Sequence, residues 1–190
     1  MKKTIVMKNF LFAAATALMF TACADNKEKE SKEVAEETNE KKFENNDSEK
    51  DAQFVVNATS ASYDEVAIAE VALAKSGNAE IKKLAQQLKT DHSAVITQLN
   101  GVAATKNVTV PTAATEDATE GVKKLTDMKA GDFDKSWLEK VEDMHESSIK
   151  KYEDASNSAT DATIKNWAST TLVKIRSHLD MINKMQETTK

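Results

Sequence analysis

From about Asp51 onwards, apolar residues recur every third or fourth position, and no stretch alternates as a half-buried strand would. That period predicts helices. The first should run from about Asp51 to Ser76, with Phe54, Ala58, Ala61, Glu65, Ile68 and Ala72 along one seam. Gly77 supplies a left-handed stop and Asn78 a cap for the second helix. That helix, to about Thr105, places Ile81, Leu84, Leu88, His92, Val95, Leu99 and Val102 on its seam. A third begins near Asp132 as N-cap and aligns Trp137, Val141, His145, Ser148, Tyr152 and Ala155. A polar break over 157–161 precedes the fourth, with Ile164, Ala168, Thr171, Ile175, His178, Ile182 and Met185.

Short breaks after the first and third helices imply two antiparallel hairpins. The expected fold is all-α, an antiparallel four-helix bundle of helices each about 39 Å long. A pair of loosely coupled hairpins or a coiled-coil oligomer is the alternative. Lys106 to Gly131 is too long for a tight turn and carries Pro111 and a short predicted helix from Thr119 to Met128. Such a connection can return along the bundle, as the crossover of ferritin-like folds does, or serve a plain up-down-up-down order.

The N-terminal part changes the picture. Met1 to Ala22 has a basic start (Lys2, Lys3, Lys8), an apolar stretch from Phe10 to Phe20 and small residues after it, the pattern of an export signal. The apolar stretch is about half the ~20 residues of a membrane-spanning helix. The only cysteine, Cys23, comes directly after Phe20-Thr21-Ala22, which resembles the lipobox of bacterial lipoproteins, although phenylalanine stands where leucine is commonest. Acylation there would hold the protein on a membrane through several buried chains. Residues 23–50 are almost wholly polar and charged, so a solvated acidic tether is expected before a domain spanning 51–190. An acidic stretch after the lipid-bearing cysteine loosely resembles surface-export signals of some Gram-negative lipoproteins. The expected location is therefore the cell envelope, lipid-anchored at Cys23, in the outer membrane of a Gram-negative bacterium. The chain is mildly acidic, −5 overall, without a basic stripe, which argues against nucleic acid as a partner.

All three histidines, His92, His145 and His178, fall on seams that should be apolar, and Glu65 takes the equivalent place on the remaining helix. Measured from Gly77, Glu65 and His92 differ in height by about 4 to 5 Å. In the second hairpin the mismatch between His145 and His178 is about 7.5 Å, part of which Glu142, one turn away, would close. Glu142 and His145 have the Glu-x-x-His spacing of di-iron bundles, but no second copy exists, because Ile175 stands three residues before His178. Three imidazoles and a carboxylate suit one zinc or iron ion, with Asp91 or Glu142 as outer acceptors that fix a histidine tautomer. The competing reading is a hydrogen-bonded polar layer with trapped water. Met128, Met144, Met181 and Met185 read as core filler rather than copper ligands.

Glu65-Val66, Asp91-His92-Ser93, Val108 to Pro111, Leu125 to Asp134, His145, Thr171-Leu172 and His178-Leu179 together resemble the ferritin-like family catalogued as domain of unknown function 4142. The chain departs from that pattern at Ser62-Tyr63-Asp64, where a glycine pair is usual, and at Met144, where aspartate is frequent. The resemblance implies a ferritin-like bundle in a bacterial envelope protein and brings no activity. Three functions stay open: a metal-binding envelope lipoprotein, a metal-dependent redox or stress-protection enzyme, and a structural or protein-interaction module.

Overall fold

A computed structural model describes residues 29–43 and 46–189; the expected export signal (1–22) and Cys23 lie outside the described residues. Among the described residues there are six helices and no strand: α1 (Ser31–Lys42), α2 (Asn46–Lys75), α3 (Ala79–Lys106), α4 (Glu116–Asp127), α5 (Ala130–Ser158) and α6 (Ala162–Thr188). None of them is long and apolar enough to cross a membrane.

Side-chain caps fix the starts of three helices. Asn78 accepts from Glu80 N, Thr115 from Ala118 N, and Asp161 from Thr163 N and Ile164 N. The left-handed stop expected at Gly77 is not there, since no glycine has positive φ among the described residues. It sits instead at Asn107, φ 56°, after α3. The turn at Gly77 is shaped by Ser76, whose Oγ donates to Asp134 Oδ1 (2.7 Å) and accepts from Asn78 N (3.0 Å). Asp132, expected as the N-cap of the third helix, lies within its first turn and Lys129 takes the cap position without a side-chain bond. The first long helix starts at Asn46, ahead of the expected Asp51. Asp51 has another task, accepting from Thr160 N, Thr160 Oγ1 and Asp161 N at the turn before α6.

The stretch expected to be a solvated tether contains α1, which packs on α2. Ala35 and Asn39, one turn apart, are buried. Asn39 Nδ2 donates to Thr109 O and its Oδ1 accepts from Thr109 N, both at 2.8 Å. Gln53 donates to Glu36 (2.7 Å), and Glu116 N donates to Glu30 (2.8 Å). Counting apolar residues misses this segment because polar side chains hold most of it in place.

α2 pairs with α3 and α5 with α6, and the pairs meet through α2 against α5 and α3 against α6. The end of α3 meets the α5–α6 turn, where Lys106 pairs with Asp161, whereas the start of α5 meets the α2–α3 turn through Asp134 and Ser76. Residues 107–129 therefore travel the length of the molecule, with α4 packed on α2 and α5 on the way. Two apolar clusters result. One gathers Phe54, Leu99, Tyr152, Ile164 and Ile175; the other gathers Ile68, Leu88, Trp137, Val141 and Ile182. Trp137, fully buried, donates its indole N–H to Ile68 O at 3.0 Å. Met128, Met144, Met181 and Met185 are partly buried against the second cluster, as filler.

Candidate metal centre

Between the two clusters lie Glu65 on α2, His92 on α3, His145 on α5 and His178 on α6, all buried. Each is a seam residue with an apolar residue a turn away (Ile68, Leu88, Val141 and Ile175 in turn), so helix periodicity directs it inward. The three imidazoles form a nearly equilateral triangle, with ring centroids 5.4, 5.5 and 5.4 Å apart. One nitrogen from each lies within 4.8 Å of the others, so the three histidines can hold a metal ion. The height mismatch expected between His145 and His178 is reduced because α5 continues through Ser158 and the turn narrows to 159–161.

Hydrogen-bond partners place the ring protons. His145 Nδ1 is 2.8 Å from Val141 O, and a carbonyl only accepts, so Nδ1 carries the hydrogen. His178 Nε2 is 3.0 Å from Asp91 Oδ2, so Nε2 donates to that carboxylate. The remaining nitrogens, His145 Nε2 and His178 Nδ1, then face each other 3.4 Å apart with a lone pair on each. Two imidazole nitrogens bound at 2.0–2.1 Å to one tetrahedral ion stand about 3.4 Å apart. The pair is spaced for an electrophile between them. His92 adds a third ring, and neither of its nitrogens has a hydrogen-bond partner among the described residues.

Burial pushes His145 down to about 4, against the opposing pull of the Val141 carbonyl. Burial lowers His178 as well, with Asp91 opposing it. His92 is held well below the ordinary histidine value by burial and then by the two neighbouring imidazoles. All three rings are neutral near pH 7, the state in which imidazole binds metals.

The carboxylates divide differently from the expectation. Glu65 Oε1 lies 3.3 Å from His145 Nδ1, the outer nitrogen, and Glu65 is not one of the side chains grouped around the facing lone pairs. Neither of its oxygens has a hydrogen-bond partner, and burial, then the charge of Asp64, pushes its carboxyl well above the usual range. Asp91 stands as expected beside a histidine, but that histidine is His178 across the α3–α6 seam. Partial burial would raise the Asp91 carboxyl; hydrogen bonds from Lys174 and His178 outweigh it and hold the group below the ordinary value. Glu142 does not join the layer. It accepts from Gln186 Nε2 at 2.7 Å, so the Glu-x-x-His spacing has no counterpart in space.

One participant escapes sequence reasoning. Lys174 pairs with Asp91 Oδ1 at 3.0 Å, and its only signal is a position one turn before His178. Tyr152, a seam residue of α5, is buried; burial and then Glu65 push its hydroxyl up, and its ring meets Phe54 edge to face at 5.1 Å.

No curated protein matches this chain, and no solved structure matches it either. The model of one family does match, over residues 24–185, which is most of the sequence. That extent takes in α1 together with the seam residues of all four helices of the layer. The chain belongs to the family described as Domain of unknown function (DUF4142).

Proposed function

We propose that this protein is a membrane-anchored envelope lipoprotein whose ferritin-like four-helix bundle holds one first-row transition-metal ion, zinc or iron, among His92, His145 and His178. The observation that carries the reading is the pair of lone-pair nitrogens, His145 Nε2 and His178 Nδ1, facing at 3.4 Å in a buried layer. Without an ion or a proton between them the two lone pairs repel, the more strongly in a buried layer. The ferritin-like assignment is supported by the connection that returns along the molecule from α3 to α5. Anchoring at Cys23 is supported by the leader pattern and the lone cysteine after it.

The test is a titration of the whole protein, stripped with a chelator, with zinc and with ferrous iron, reading bound metal per chain after dialysis. One equivalent is expected, and none for a variant lacking all three imidazoles. If the wild-type protein takes up no ion and His145→Leu raises the melting temperature, the layer is a structural polar network. Replacing Cys23 with serine should move the protein from the membrane to the soluble fraction and abolish labelling by a tagged fatty acid.

A further inference from the structure

The seam pattern offers Glu65 as a fourth ligand, yet it stands at the wrong nitrogen for that role. Its oxygen is beside His145 Nδ1, which already carries the hydrogen donated to Val141, while the lone pair of His145 is on Nε2. The same relation recurs at the next ring: Asp91 is at His178 Nε2, and the lone pair is on Nδ1. Two histidines on different helices thus have a carboxylate at the outer nitrogen and a bare nitrogen turned to the shared centre. Those carboxylates come from α2 and α3, and the histidines they face are on α5 and α6. The first hairpin therefore braces the ligands of the second.

Resting on the metal-binding reading above, we propose that Glu65 and Asp91 are positioning residues that act on the ion through His145 and His178, and that imidazole nitrogens are the only protein atoms the ion touches, with solvent completing a tetrahedron. At His178 the Asp91 carboxylate accepts the outer N–H, which makes the inner nitrogen a better donor and locks its tautomer; Glu65 lies beside the N–H that His145 gives to Val141 O. The Asp91 carboxylate also supplies negative charge close to a divalent ion without entering its coordination sphere. A protein donor set of three imidazoles and no carboxylate selects ions such as Zn²⁺ and Co²⁺ and rejects Mg²⁺ and Ca²⁺, which require oxygen ligands from the protein.

The experiment uses Co²⁺ on the whole protein, because its visible bands report the donor set and its titration gives the affinity. Wild type should bind Co²⁺ with tetrahedral-type bands and ignore millimolar Mg²⁺ or Ca²⁺. Glu65→Gln and Asp91→Asn should each weaken binding about 10- to 100-fold, the usual effect of losing an outer partner. Both should leave the bands in place and one ion per chain. The metal-free melting temperature of Glu65→Gln should be unchanged or higher, which a purely structural role would not give. A displaced band in Glu65→Gln makes Glu65 a ligand and overturns the proposal. Unchanged affinity in both variants overturns it too while leaving the site intact. No Co²⁺, Zn²⁺ or Fe²⁺ bound by wild type overturns the site itself.

Discussion

His145 and His178 lie in the same layer as Glu65 and His92, are buried to the same degree, and differ from them in what they touch. Each imidazole of the first pair has its outer N–H on an acceptor, Val141 O or Asp91. Neither Glu65 nor His92 has a hydrogen-bond partner among the described residues. An unpaired buried polar group costs about 1 to 3 kcal/mol, a large share of a total stability of about 5 to 15 kcal/mol. The difference teaches that the α5–α6 half of the layer is pre-set, whereas the α2–α3 half carries strain that a bound cation would relieve.

Removing the pre-set half should do most damage to binding. His178→Ala or His145→Ala should abolish stoichiometric Co²⁺ uptake in equilibrium dialysis. His92→Ala should keep a weak residual site, because the facing pair at 3.4 Å survives. Equal loss in all three variants would break the distinction between the halves.

Acid should act next most strongly, on the metal-free protein. His145 titrates near 4 when folded and near 6.5 when unfolded, so the unfolded chain binds the extra proton between those values. Stability is therefore full above about pH 6.5 and falls toward pH 4, by roughly 3 kcal/mol for His145 alone. His92 and His178 shift in the same direction and add to the loss. Glu65 opposes them: its raised value means the folded form keeps a proton that the unfolded form releases, so its effect is destabilising as pH rises above the ordinary carboxylate value. Asp64, raised by burial, acts in the same direction as Glu65; the three histidines are expected to outweigh these two carboxyls, a net loss in acid measurable by urea unfolding from pH 7 to pH 4.

Single substitutions in metal-free protein should then separate the halves by sign. His92→Leu removes two unpartnered nitrogens and should gain about 1 to 3 kcal/mol. Asp91→Ala strands the His178 N–H and should lose a similar amount. Thermal unfolding of both reads the contrast directly. The smallest effect belongs to Lys174→Ala: its side chain is 51% exposed, and an exposed ion pair is worth less than about 1 kcal/mol.

Much of the layer is legible in the sequence because helical period is a strong signal. The seam of α3 from Ile81 to Leu99 names His92 as inward without any coordinates. What periodicity does not carry is which atom of a side chain meets which neighbour. Asp91 and Glu142 look equivalent there as outer acceptors. Only the crossing of α3 on α6 gives Asp91 to His178, and only Gln186 on α6 takes Glu142 away. The α1 segment is illegible for a different reason: Asn39 and Thr109 are 70 residues apart, and a polar side chain satisfied by distant backbone looks in sequence like one satisfied by water.

That clasp also decides where this molecule can be cut. Asn39 takes up both the N–H and the carbonyl of Thr109, so a chain trimmed to begin at Asp51 would strip the cover from those groups. Trypsin offers a simple reading of the point, since Lys41 and Lys42 lie in the last turn of α1. Cleavage there should be slow in the intact protein and rapid once Asn39 is alanine.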